Sequence, residues 1–283
     1  MNYTKEKTIV REFGHFDEFA DAVEFGQIPC PDMGQASESE SKSFTGTKDY
    51  AEAIHLLRNG WNDGANKMDA AKEAVIKTLS HKTIETEYDV SGSFVDVGRF
   101  LSGEPENMVD FKEQASHKMI SIGLNVSVSS RVSQETIFSR GAAVLALIEA
   151  FEKSGASVQV NLFEVIDSNG SESGWLSVYK IPLKDFGTLV DTDRLAFCIA
   201  HPSFLRRLIF RINEQEPRKI REIFGHTTGV YGGYGTPNSY IPPDAGDVYI
   251  GSTKGDISRE DCKQIVESAL LSVEKGEQYV FQR

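Results

Sequence analysis

The sequence predicts an α/β protein: a mainly parallel central sheet flanked by helices, with a partly helical N-terminal extension. Three observations inside Lys118–Glu164 predict it. Met119, Ile120, Ile122 and Leu124 are alternating and contiguous apolar residues, the pattern of a buried strand. Ile137, Gly141, Val144, Leu145, Ile148 and Phe151 then share one helical face, widened by Ala143, Leu147 and Ala150. Val158, Val160, Leu162 and Val165 alternate with polar residues as a second strand. Strand, helix and strand in that order demand a parallel pair joined by a right-handed crossover. A polar run, Asn125–Gln134, lies at the carboxyl end of the first strand, where open α/β sheets hold their ligands.

Composition narrows the classes. The net charge of −12 opposes broad adhesion to DNA or anionic lipid, because phosphate binding draws on clustered Lys and Arg. Cys30, Cys198 and Cys262 cannot all pair and show no CxxC spacing, so they read as free thiols in a reducing compartment. No apolar run approaches the ~20 residues that span a bilayer. The opening MNYTKEKTIVREFGHF lacks the apolar core of a signal peptide, which predicts a cytoplasmic protein with no membrane partner.

In chain order, Phe16, Phe19, Ala20 and Val23 predict a short helix over Phe16–Phe25, broken at Ile28-Pro29-Cys30-Pro31. Residues 34–43 hold little but Gln, Ala, Ser, Glu and Lys and read as a mobile loop. Thr47 is the expected N-cap of a helix carrying Tyr50, Ala53, Ile54 and Leu57, ended by Asn59-Gly60. Met68, Ala71, Val75 and Leu79 predict a second helix, and residues 83–101 read as extended, with turn chemistry from Leu101 to Met108. The carboxylates Asp96, Glu104 and Glu106 read as solvated charge.

Beyond the central unit, Trp175, Ser177, Tyr179 and Ile181 predict a strand running antiparallel at a sheet edge. Arg194–Ala200 fits a strand or a buried turn of helix. Phe204, Leu205, Leu208, Ile209 and Ile212 predict a helix after His201-Pro202. Val248–Ile250 predicts a strand, and Cys262, Ile265, Val266, Ala269, Leu270 and Val273 a final helix. The chain divides into an α-rich extension over 1–116 and an α/β domain over 117–283.

Asn125, Ser127 and Ser129 put three oxygen-bearing side chains at every second residue of the loop after the first central strand, a donor set suited to a hard cation such as Mg²⁺. Here the sequence resembles the von Willebrand factor A fold, a Rossmann-type α/β layout whose metal motif is Asp-x-Ser-x-Ser in this place. The resemblance covers residues 117–275. It implies a Thr from a later Gly-Thr-Pro loop, matched by Thr236, and an Asp after a later strand, matched by Asp256. The departure is Asn125 in place of Asp. One negative ligand fewer weakens attraction for a divalent ion, so the expectation is a vestigial site held by hydrogen bonds, with no cofactor. Separately, FTGTKDYAEAIHLLRNGW, SFVDVGRFLSGEPENM and HPSFLRR look like segments of a family of proteins encoded by tailed bacteriophages. That resemblance implies production in an infected bacterial cytoplasm.

Arg206, Arg207, Arg211, Arg218 and Lys219 form a basic concentration in an acidic chain, beside a glycine-rich loop offering Tyr231 and Tyr234. Stacking aromatics beside a basic track is how single strands are held without base readout. Enzyme motifs are missing: the glycine spacing at Gly232–Gly235 is not the dinucleotide fingerprint, and no Walker A, G-x-S-x-G or H-E-x-x-H run occurs. The leading expectation is a non-catalytic, phage-encoded adaptor that engages a phage or host protein with the carboxyl edge of its sheet. The alternatives are a single-stranded DNA- or RNA-binding accessory protein, and a hydrolase using Ser127 or Ser129 with His201 or His226.

Overall fold

The computed structural model describes residues 7–26, 38–68, 86–92, 94–111, 118–169, 172–189, 191–226 and 233–282. Its strands are β1 (Thr8–Glu12), β2 (Thr86–Asp89), β3 (Phe94–Val95), β4 (Met108–Phe111), β5 (Met119–Asn125), β6 (Ser157–Asp167), β7 (Leu176–Lys184), β8 (Thr236–Pro237), β9 (Val248–Ile250) and β10 (Tyr279–Phe281). The helices are α1 (Phe16–Phe25), α2 (Glu38–Thr45), α3 (Tyr50–Asn59), α4 (62–68), α5 (Val97–Leu101), α6 (Gln134–Lys153), α7 (Thr192–Ala200), α8 (Phe210–Gln215), α9 (Arg218–Phe224) and α10 (Arg259–Glu274). A π-helical turn, Phe204–Ile209, leads directly into α8.

The central unit is the one the apolar pattern predicts. β5 runs parallel to β6 in a register from Met119↔Ser157 to Asn125↔Phe163, and α6 crosses between them. The seven-stranded sheet has the order β1-β7-β6-β5-β9-β10, with β8 added antiparallel on the end of β6. β5, β6, β9 and β10 run one way, while β7 and β1 pair in parallel with each other and antiparallel to the rest. This is a mixed α/β fold, mostly parallel and flanked by helices.

Side-chain alternation along the strands separates two faces. Ile120, Ile122, Leu124, Val158, Val160, Leu162, Val248 and Ile250 join the main core with α1, α3, α6, α7, α8 and α10. Phe163, Val165, Leu176, Val178 and Tyr249 form a smaller cluster under Ala245 and the half-buried Tyr240. Helix α6 is buried without interruption from Arg140 to Ile148, because it packs on the sheet and also against α7 and α10. The contact with α7 is close enough that a Cβ at Gly141 would lie 2.5 Å from the Cβ of Ala200.

Several expectations change here. Thr8–Glu12, read as part of an extension, is a strand of the central sheet, so β7 lies inside the edge that β1 forms. Residues 38–43, expected as part of a mobile loop over 34–43, belong to helix α2, and 34–37 lie outside the described residues. Asp49 caps α3, its carboxylate accepting from the Glu52 N–H at 2.8 Å, while Thr47 is buried and hydrogen-bonds Ser203. Val97–Leu101 is helix rather than strand, because the Asp96 carboxylate accepts from the Gly98 and Arg99 N–H groups. Arg194–Ala200 lies in helix α7. Ala71, Val75 and Leu79 of the second predicted helix, the Ile28–Pro31 break, Cys30 and Tyr231 lie outside the described residues. Cys198 and Cys262 are free and buried.

Candidate functional site

At the carboxyl end of β5 the chain makes an Asx turn. The Asn125 Oδ1 accepts from the Ser127 N–H at 3.0 Å, and the Ser127 Oγ accepts from the Val165 N–H of β6 at 3.0 Å. Ser129 follows, with its N–H on the Thr253 carbonyl at 3.1 Å, so the loops after β5 and β9 are stitched together. On the other side of Ser127 a cleft of about 420 Å³ opens. Its walls come from the Ser127–Ser130 loop, Glu164 and Ile166 of β6, Thr236 and Pro237 of β8, Phe44 of α2, and the π-helical turn running into α8. That turn contributes Leu205, Arg206 and Phe210. π-Helical insertions recur at functional sites because they re-aim side chains by one position.

The floor holds the unusual group. Glu164 is 1% exposed, and its Oε1 accepts from the Asn213 Nδ2 at 3.0 Å. Its Oε2 has no hydrogen-bond partner among the described residues. Burial pushes its acidity up to about 8, partly offset by the Asn213 amide and reinforced by nearby Glu216. Glu216 is itself engaged, its Oε1 accepting from the Tyr179 hydroxyl at 2.8 Å and the Arg11 guanidinium at 2.9 Å. Beside the floor, the Tyr234 ring stacks on Phe210 with centroids 3.7 Å apart, and its hydroxyl donates to the Glu214 Oε1.

The residues singled out for a metal do not converge. Ser127, Ser129 and Thr236 line the cleft, but Asn125 is fully buried behind it, with its carbonyl on the Arg140 guanidinium. The Asp256 carboxylate is elsewhere: its Oδ1 accepts from the Ser133 N–H, the Ser133 Oγ and the Thr136 Oγ1, capping the first turn of α6. Those three bonds hold its acidity below the usual carboxylate range. Of the five residues, Ser127, Ser129 and Thr236 line the cleft, while the Asp256 Oδ1 is held by the first turn of α6 and the Asn125 carbonyl by Arg140.

The basic residues do not form a surface track either. Arg206 is 6% exposed and donates to the Phe44 and Val132 carbonyls, both at 2.8 Å. Arg207 donates to Thr47, and Arg211 lies over the Tyr50 ring. Arg218 is exposed and pairs with Glu222 one turn on, and Lys219 is exposed. Of the two histidines offered as a base, the His201 Nδ1 accepts from the Ser203 N–H at 3.1 Å, both ring nitrogens of buried His226 lack a hydrogen-bond partner among the described residues, and burial lowers the basicity of each to about 4.

Fold and geometry together give an α/β protein with a cleft at the carboxyl end of a mostly parallel sheet. The chain belongs to the family described as a domain of unknown function, DUF7192, whose family model matches residues 2–272. Comparison with curated proteins and with solved structures finds no match.

Proposed function

We propose that the protein is a non-catalytic binding module that takes a segment of a partner protein into the cleft at the carboxyl end of β5 and β6. The cleft is the observation that carries this reading. Its ~420 Å³ lies within the range of ligand sites, and it sets apolar Phe44, Leu205 and Phe210 against the hydroxyls of Ser129 and Thr236. Such a mixture seats one or two side chains and fixes their orientation. A non-catalytic role is supported by the engagement of Ser127 with Val165 and of His201 with Ser203. The resemblance to tailed-bacteriophage proteins supplies the setting, an infected bacterial cytoplasm with a phage or host protein as partner. The single-strand reading draws less support, since Arg206 and Arg207 direct their guanidinium groups at the protein's own oxygens.

Selection of a random peptide library on the immobilised full chain tests this. Peptides should be enriched by the wild type and lost with Thr236→Trp, which fills the rim at an exposed position. Equal enrichment by the variant, or none by the wild type, overturns the reading.

A further inference from the structure

Glu164 is a buried acid with an incomplete set of partners. More than about 90% of buried polar groups in folded proteins are hydrogen-bonded, so a buried orphan oxygen on a residue that lines a cleft calls for a physical reason. The groups around it do not complete it. On α8, Asn213 already holds the Oε1 and Glu214 is bonded by Tyr234. Glu216, just beyond α8, is held by Tyr179 of β7 and Arg11 of β1, and it repels the ionised form. Arg206 lines the same cleft but donates to backbone carbonyls, and buried His226 faces Tyr234. Among the described residues Glu164 has no cation of its own.

We propose that Glu164 makes the cleft a receptor for the ammonium group of a lysine side chain on the partner segment. This deepens the reading above and rests on it. An ammonium is a compact charge with three donors, and one free oxygen plus the hydroxyls of Ser129 and Thr236 suits it. An arginine fork would need both carboxylate oxygens, and Asn213 occupies one. The four-carbon stem would lie along Leu205 and Phe210. The acidic chain, with its net charge of −12, draws basic segments toward it. The free protein holds a proton on Glu164 at neutral pH, so binding expels it.

Calorimetric and NMR titration of the full chain with Nα-acetyl-lysine N-methylamide tests the proposal. Affinity should rise about tenfold per pH unit from 6 toward 8 and then level, with proton release at pH 7 seen by comparing two buffers. Glu164→Gln keeps the volume and an oxygen for Asn213, and should bind at least tenfold more weakly with no pH dependence. The Nε-acetylated probe should bind at least tenfold more weakly to the wild type. Asn213→Ala frees the second oxygen and should erase the preference for lysine over the arginine probe. Binding unchanged by Glu164→Gln or by acetylation, equal binding of the arginine probe to the wild type, or no lysine binding at pH 8.5 overturns it. Enriched peptides that need no lysine would sink the lysine assignment alone, whereas Thr236→Trp enriching them equally would sink the cleft.

Discussion

The guanidinium of Arg140 and the main-chain carbonyl of Asn125 are bonded in the gap between the carboxyl ends of β5 and β9. The same nitrogen also donates to the carbonyls of Gly251 at 2.6 Å and Ile250 at 3.3 Å. A cation carried by α6 therefore closes the carboxyl edge between these two neighbouring strands, and the open cleft lies on the other flank, toward β6.

That relationship is a stability device as well as a plug. Arg140 is fully buried, and burial lowers its basicity only to about 10, so it stays charged at neutral pH. Arg140→Met leaves three carbonyls without their donor and should cost about 3 kcal/mol or more. Urea unfolding reads the loss, and an unchanged midpoint would contradict the arrangement.

Ser127→Ala removes the acceptor of the buried Val165 N–H and should destabilise by roughly 1–3 kcal/mol. Millimolar Mg²⁺ should leave the thermal midpoint of both wild type and variant where it was. A midpoint that rises with Mg²⁺ in the wild type and not in Ser127→Ala would show a working metal site.

Gly141→Ala sets two effects against each other. Helix propensity favours alanine by about 1 kcal/mol. The added Cβ would meet Ala200 at 2.5 Å and the Ile199 carbonyl at 2.8 Å, between two packed helices. Overpacking wins, and the variant should be less stable by about 1–2 kcal/mol in thermal unfolding.

Stability should bend with pH from two opposed causes. Glu164 keeps its proton in the fold up to about 8 and loses it near 4.5 when unfolded, so stability falls as pH rises through that window. His201 and His226 are lowered to about 4 by burial, against 6.5 when unfolded, so stability falls as pH drops from 6.5 toward 4. Glu164→Gln should abolish the alkaline decline and keep the acid one. Denaturant midpoints across pH 4–9 check both limbs.

The β5–α6–β6 unit was legible because near-contiguous burial writes itself into runs such as Ile120–Leu124 and Val144–Ile148, and the crossover follows from chain geometry. β1 was not, since its five residues gain meaning only from β7, far along the chain. The cap that Asp256 makes on α6 left no local sign, because its partners Ser133 and Thr136 are over a hundred positions away. Glu164 and Arg140 do leave a trace in the sequence. Glu164 interrupts Leu162, Phe163, Val165 and Ile166, a strand apolar on both faces, and Arg140 is the one charge between Thr136 and Ile148 of α6. A charge inside a two-sided apolar run marks a buried, engaged group.

Amide hydrogen exchange on the full chain, with and without a library-selected peptide, tests the cleft most directly. Protection gained at Ser127–Ser130 and around Thr236 is the predicted result. Protection confined to the opposite, amino edge of the sheet, around Gly155, Gly187 and Gly276, would contradict it.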